Sequence, residues 1–366
     1  MNPIISVVTP SFNQAKFIAD TIESVLSQQG DFYIDYVIID GASTDGAKEI
    51  IAGYESLLKQ NCRSENIAGL CFYVAEKSVK LNRCKGISYR WVSEKDNGHG
   101  DALNKGFSKT IGDIMCWLNS DDMYIDDAFQ SVTEIFRQFD KVKWIVGLNC
   151  GFDAGGSPRL FTYLEKYRYK NIFSYLTYNY EWIQQEGTFW RKDLWQQAGG
   201  KINTDYKLMV DGELWCRFFL YENLYHVQRE LGGYRIHNAN RALLSMPRVR
   251  AEMEKAIRWL ERRVPSHTRE TAQRLFDNAP VKKLNDDDLN FKIIIKNPDD
   301  MKWQLSEVDF FAYSLKEQAE KIRKILRGKE YKTGRLLIIP LRWAVQSAKK
   351  IVINASALFN KMKTRS

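Results

Sequence analysis

The chain has 366 residues, 44% hydrophobic, 13% aromatic and 27% charged, with a formal net charge of +9. That apolar content fills a substantial core and excludes a disordered or low-complexity chain. No apolar run is long enough to cross a bilayer, and the N-terminus lacks a basic-then-apolar export signal, so the expected location is cytoplasmic.

In chain order, the β-branched run 4–9, closed by Pro10, predicts a strand, and the stripe Phe17, Ile18, Ile22, Val25, Leu26 predicts a helix over 15–28. A strand at 36–39 and a helix at 45–57 follow. Such a strand-helix-strand-helix opening argues for a parallel sheet with right-handed crossovers. Further strands are expected at 89–93, 113–118 and 143–148, with a helix at 101–109. Residues 56–87 show no clear period and read as a surface insertion. Beyond 151 the pattern loosens. Aromatics crowd 163–195, a helix is expected at 211–221, a strand or loop at 234–237 and a basic helix at 248–262. Residues 285–300 are acidic and turn-rich and read as a linker. The six cysteines (Cys62, Cys71, Cys84, Cys116, Cys150, Cys216) are scattered without a CxxC pair and read as free thiols; the spacing of the first three supports a metal site only weakly.

In open parallel sheets ligands bind beyond the carboxyl ends of the strands. Four polar strand ends fall there: 9–13, 40–46, 94–98 and the segment Asn119-Ser120-Asp121-Asp122. Adjacent carboxylates after a buried strand suit a hard divalent cation such as Mg²⁺ or Mn²⁺, which also accepts phosphate oxygens. Neither a GxGxxG after the first strand nor a GxxxxGK[ST] is present, which disfavours dinucleotide and P-loop sites.

Four segments, taken together, resemble family 2 glycosyltransferases of the GT-A fold: Ile5-Ser-Val-Val-Thr-Pro-Ser-Phe-Asn13, Val37-Ile-Ile-Asp-Gly-Ala-Ser-Thr-Asp-Gly46, the stretch from Ser93-Glu94 to Asp101-Ala-Leu-Asn-Lys-Gly106, and Trp117-Leu-Asn-Ser-Asp-Asp122. Residues 185–217 and 234–237 resemble the family's acceptor-side half. The resemblance implies an α/β fold: a Rossmann-like, mostly parallel sheet with flanking helices. It places a glycosyltransferase domain at 1–245 (donor half about 1–125, acceptor half about 126–245); the residues beyond it read as a helical extension and linker at 246–320 and a helical basic amphipathic tail at 321–366.

The implied activity is inverting sugar transfer from a nucleotide-diphosphate donor, a UDP-sugar foremost, to a glycan or lipid-linked acceptor in surface-polysaccharide or glycoconjugate assembly, with Mn²⁺ or Mg²⁺. By resemblance, Thr9, Pro10, Asn13, Asp40, Asp45, Asp101, Asn104, Lys105, Asp121 and Arg235 bind the donor. Asp121, Asp122 and His237 are the metal candidates, and Gln185, Glu186 and Trp190 line the acceptor cleft. Asp211, with Glu213 as the alternative, is the base that takes the acceptor's proton. Asn119 stands where the family often has Asp, and His99 and Gly100 also depart from its pattern. The competing readings are a sugar-nucleotide-binding scaffold and a nucleotidyltransferase. The latter calls for a Gly-rich basic first loop, which 9–13 is not.

The positive charge belongs to the tail. Residues 321–366 hold thirteen Lys and Arg against one acid, Glu330, or +12, which leaves the rest of the chain at about −3. Trp343, Ile351, Val352, Ile353, Leu358 and Phe359 are interspersed with Lys349, Lys350, Lys361 and Lys363. That mixture suits the anionic surface of a membrane rather than nucleic acid.

Overall fold

A computed structural model describes residues 2–75, 81–177, 182–238, 245–277, 289–310, 313, 314 and 316. The expected tail lies outside the described residues. The chain divides into two compact units, Met1–Glu307 and Val308–Ser366.

The first unit opens with β1 (Ile4–Ser11), α1 (Ile18–Leu26), β2 (Tyr33–Asp40) and α2 (Ala47–Asn61), followed by β3 (Cys62–Ile67), β4 (Leu70–Ala75), β5 (Gly86–Ser93) and α3 (His99–Phe107). Next come β6 (Ile114–Trp117), β7 (Met123–Tyr124), α4 (Ala128–Gln138), β8 (Trp144–Leu148), β9 (Gly151–Phe152), α5 (Tyr163–Lys166) and α6 (Ile172–Leu176). A 3-10 turn (Gln185–Gly187) leads into β10 (Thr188–Arg191), α7 (Lys192–Gln197), α8 (Val210–Phe218), β11 (Tyr225–Glu230) and β12 (Gly232–Arg235). α9 (Met246–Glu261), α10 (Ser266–Phe276), β13 (Phe291–Lys296) and β14 (Trp303–Val308) complete the described elements.

Among the described residues one sheet has eleven strands, in the order β14-β13-β11-β8-β10-β6-β1-β2-β5-β4-β3. β1 is central and pairs in parallel with β2 and β6, and β2 in parallel with β5. The register aligns Ser11 with Asp40 and Asp40 with Ser93, so three expected strand ends form one row. β10 is antiparallel to both β6 and β8. A second sheet, β7-β12-β9, pairs Gly232 with Tyr124 and Tyr234 with Gly151. It carries residues 234–237 to the double aspartate, a long-range contact that local periodicity does not encode.

The core is aromatic. Trp117, Trp144, Trp190 and Trp215 are all fully buried. The Trp215 ring stacks on Trp117 at 5.8 Å and on Trp144 at 5.4 Å. Truncating such a side chain to alanine costs about 3–5 kcal/mol.

Two expectations are corrected. The supposed insertion continues α2 to Asn61 and then forms the hairpin β3–β4, which extends the sheet through Tyr73 opposite Ile87. Its outer strand lies at the sheet edge and is largely exposed and polar, so no apolar alternation marks it. Within the supposed linker, Phe291–Lys296 is a strand parallel to β11, with Ile294 opposite Val227. Its apolar run, three consecutive isoleucines between lysines, is short and set in an acidic stretch. The first unit therefore includes elements that the division at 245 sets apart.

Candidate active site

The row of strand ends builds the first part of the site. Asp40 is fully buried, and its carboxylate accepts from the Ser43 backbone N–H, the Ser43 hydroxyl and the Ser93 hydroxyl. It organises the loop after β2. Asn13 has a left-handed φ of 52°, donates its backbone N–H to Ser43 Oγ and accepts from Thr44 N–H, tying the first two loops together. Asp45 accepts from Ala15 and Ala47 N–H groups and thereby caps α2. Thr9 is buried with its hydroxyl on Tyr36, and Pro10 is buried in the strand. The exposed feature here is Phe12, 61% accessible, beside Gly41, where a Cβ would meet the Phe12 ring at 3.3 Å and an Asp96 oxygen at 2.9 Å. The buried Ser11 hydroxyl has no partner among the described residues.

α3 contributes a surface. Asp101 accepts from Asn97 N–H, and Lys105 pairs with Glu94 at 3.0 Å and Asp101 at 3.6 Å. Asn104 instead clamps the backbone of Ile202 through two hydrogen bonds.

The double aspartate splits into two roles. Asp122 is buried: Oδ1 accepts from Arg235 N–H at 2.8 Å and Oδ2 from Asn119 Nδ2 at 3.0 Å. Burial first, then the charges of Asp121 and Glu186, push its carboxyl well above the usual range. Asp121 is turned outward, 16% exposed, with Oδ2 at 2.9 Å from His237 Nε2. Arg235 is buried and knits this cluster: it donates to the Asp121 carbonyl, pairs with Asp20 at 2.7 Å and lies over the Phe17 ring. Phe17 also packs on the His237 ring at 4.6 Å. Asn119 Oδ1 accepts from the His99 Nε2–H at 3.0 Å while its amide nitrogen donates to Asp122. A carboxylate at that position would face Asp122 without a donor.

Further carboxylates couple to this cluster toward α8: the charge of Glu186 acts on Asp122, and that of Asp211 acts on Glu186. Glu186, in the turn before β10, is pushed up to about 7, chiefly by burial, with the Asp211 charge adding to the rise. Asp211, half-buried in the first turn of α8, is pushed up to about 6 by burial and, more weakly, by Glu252, against backbone N–H groups that lower it. Glu213 is buried and engaged by Arg217, which donates to both of its oxygens and also to the Ala198 and Lys201 carbonyls. Glu252 on α9 accepts from the Lys207, Leu208 and Met209 N–H groups at the approach to α8.

The glycosyl transferase family 2 profile matches residues 6–66 and 74–192, which hold the strand ends and the double aspartate. The chain belongs to glycosyl transferase family 2. It is 27% identical over 136 residues to a putative teichuronic acid biosynthesis glycosyltransferase, TuaG, of Bacillus subtilis, covering 37% of this chain and 43% of that protein. An uncharacterized glycosyltransferase of Nostoc sp. is 23% identical over 244 residues, 64% of this chain and 66% of that one. The chain thus spans less than two thirds of the length of these relatives. Among solved structures, residues 1–349 of S. aureus TarS in complex with UDP-GlcNAc superpose with a TM-score of 0.54 at 14% identity, over 76% of this chain and 72% of that one. The likeness is one of fold, the GT-A architecture expected from the sequence.

Within this family 2 chain the structure brings Asp121, Asp122, Glu186, Arg235 and His237 together, with Asp211 at the far end of the carboxylate line. It removes Trp190, fully buried between Trp117 and Trp215, from the acceptor cleft. Gln185 is likewise buried and donates to the Trp117 carbonyl. Arg235 and Glu213 have internal partners, and Thr9, Asp40, Asp45 and Asn104 also tie neighbouring loops and strands together. Asp20, Phe12 and Glu252 are site-shaping residues that the sequence reading misses. Phe12 carried a signal, an aromatic among polar residues at a strand end; Glu252 carried none, because its partners lie 43 to 45 residues away.

A divalent cation fits one place. Asp121 and His237 offer a carboxylate oxygen and an imidazole nitrogen side by side, a donor pair suited to Mn²⁺ and tolerated by Mg²⁺. Both Asp122 oxygens also accept internal hydrogen bonds, from the Arg235 N–H and from Asn119 Nδ2. Among the described residues no three His, Cys, Asp or Glu side chains form a ready metal cage, including Cys62, Cys71 and Cys84.

Proposed function

We propose that this protein is an inverting glycosyltransferase that moves a sugar from a nucleotide diphosphate, a UDP-sugar foremost, to a glycan or lipid-linked acceptor in surface-polysaccharide or glycoconjugate assembly. The observation that carries the reading is the carboxylate line from the outward Asp121–His237 pair to Asp211, whose carboxyl sits at about 6. A base for an acceptor hydroxyl has to be ionised near neutral pH yet basic enough to take a proton, and a value near 6 meets both demands. Asp211 takes the proton from the acceptor hydroxyl as its oxygen bonds to the anomeric carbon from the face opposite the diphosphate. The bond from that carbon to the diphosphate oxygen breaks, and the diphosphate leaves with the electron pair. Glu213, held by Arg217, is not the base.

On the donor side, the exposed Phe12 ring is placed to stack on a base, and the unpartnered Ser11 hydroxyl lies at the same edge. Asp121 and His237 would hold Mn²⁺ or Mg²⁺, which neutralises charge on the leaving diphosphate when bound. The UDP-GlcNAc bound by TarS supports a nucleotide sugar as the ligand of this fold. The anionic membrane surface at the cytoplasmic face, contacted through residues 321–366, remains the partner favoured by their +12 charge.

The test is Asp211→Asn. Transfer should fall by about 10²–10⁴-fold, while UDP binding with Mn²⁺, read by calorimetry, stays at the wild-type value. Normal turnover in that variant would sink the assignment. A panel of nucleotide sugars with Mn²⁺ or EDTA identifies the donor and the metal requirement.

A further inference from the structure

A cavity of about 130 Å³ has Arg159, Phe161, Glu165, Arg168, Trp182 and Tyr234 in its wall. Its chemistry is uneven. Trp182 is 37% exposed, and the Phe161 ring meets Tyr234 edge-on at 6.5 Å. Arg159 stands on an exposed loop anchored by its own backbone N–H on the Gly151 carbonyl. Arg159 and Arg168 line the same cavity as Tyr234, so two cations stand in one wall. The acid in the wall, Glu165, has its carboxylate on the Thr162 N–H and hydroxyl, as part of a helix cap. The cavity therefore presents positive charge beside aromatic faces.

Its position ties it to the site. Tyr234 precedes Arg235 in β12, and neighbouring side chains in a strand point to opposite faces. The Arg235 side chain reaches Asp20 and the Asp121 carbonyl, so the cavity lies across one strand from that cluster. The Tyr234 hydroxyl also senses the charge of Glu186, the carboxylate between Asp122 and Asp211. Aromatic rings pack on the apolar faces of sugars, and guanidinium forks bind carboxylate or phosphate with two parallel hydrogen bonds.

We propose that this cavity is an acceptor subsite for a sugar bearing an oxyanion, with Arg159 and Arg168 on the anion and Trp182 and Tyr234 against the ring. This rests on the sugar-transfer reading above and adds to it an acidic acceptor. The anion is either the carboxylate of a uronic acid or a phosphate on the glycan.

The test uses the full-length protein saturated with UDP and Mn²⁺, so that the donor site is filled. Methyl β-glucuronide, glucose 6-phosphate and methyl β-glucoside are titrated in turn, with binding followed by ligand-observed NMR. At least one anionic probe should bind about tenfold more tightly than the neutral glucoside, and which one does so distinguishes carboxylate from phosphate. The double variant Arg159→Gln/Arg168→Gln should lose that preference, as should the single charge reversal Arg159→Glu at an exposed position, with UDP affinity unchanged in both. Equal binding of all three probes, or a preference that survives both variants, overturns the proposal. Failure of UDP to bind under any condition counts against the sugar-transfer reading instead; the probes added without UDP then report on the cavity separately.

Discussion

At the scale of single residues, burial sets the chemistry and leads to two expectations. Desolvation raises the Asp211 carboxyl from the usual value of 3.8 to about 6. A base has to be unprotonated to act, so kcat/KM should rise with pH, about tenfold per unit below that value, and level off above it. The sign for stability is the reverse: the folded state disfavours the ionised form, so this group withdraws stability as pH rises through the interval between 3.8 and about 6. An acidic limb centred well below 5 would argue against Asp211 as the group observed. Asn119 gives the second expectation. Its amide donates to Asp122 and its carbonyl oxygen meets His99, so the neutral side chain satisfies both neighbours. Asn119→Asp replaces a donor with a second buried acid, which should cost about 1–3 kcal/mol. With EDTA present, the loss should be larger at pH 8 than at pH 5, where a shared proton restores a hydrogen bond; thermal unfolding at the two pH values measures it. A variant as stable as wild type at pH 8 would show that Asp122 does not need the amide.

At the scale of elements, α9 supports the N-terminal end of α8, which carries the proposed base. Glu252 gathers three backbone N–H groups just before α8, and Gly212 leaves room for Met253, whose sulfur lies 2.2 Å from where a Cβ would be. Glu252→Gln removes both the charge-assisted bonds and the negative charge that raises Asp211. Stability should fall by about 1–2 kcal/mol, and the acidic limb of kcat/KM should move to lower pH. Because the Glu252 carboxyl is itself held below its usual value, its stabilising contribution is present at neutral pH and lost as pH falls through the acid range. A limb that stays in place, measured with stability at the same pH values, would separate α9 from the tuning of Asp211. The close approach of β12 is equally constrained: a Cβ on Gly232 would stand 2.2 Å from the Glu186 carbonyl oxygen. These contacts explain what was legible in advance. The β1–α1–β2–α2 opening could be read because each element carries its own period and each strand ends in a polar turn. Asp122 and Arg235 could be named, but their partnership could not, since β7 and β12 are two and four residues long and pair across 108 positions between Tyr124 and Gly232. Trp190 looked like a sugar platform because composition does not tell a core aromatic from a cleft aromatic. β13 was hidden because three consecutive isoleucines flanked by lysines look the same in a linker as in a strand.

At the scale of the whole molecule, the charge division separates two tasks. The chain outside the tail is close to neutral, about −3, and builds the sheet and its site, whereas residues 321–366 concentrate +12. Among the described residues no helix is long and apolar enough to cross a membrane. If residues 321–366 meet an anionic surface, each Lys or Arg near it contributes about 1 kcal/mol, and the interspersed Trp343, Ile351 and Phe359 would add apolar insertion. The full-length protein should float with vesicles containing phosphatidylglycerol and stay behind with pure phosphatidylcholine. Added salt should release it, since exposed charges more than about 10 Å apart are screened at 0.1 M. Changing Lys349, Lys350, Lys361 and Lys363 to Gln should weaken flotation by up to about 4 kcal/mol without altering UDP binding, because none of the four belongs to the carboxylate line. Equal flotation with both lipids, or flotation that survives both added salt and the quadruple variant, would assign the charge to another partner. Loss of flotation with salt but not with the Gln changes would place the contact on the other basic residues of the tail, from Lys321 to Arg342 and at Arg365.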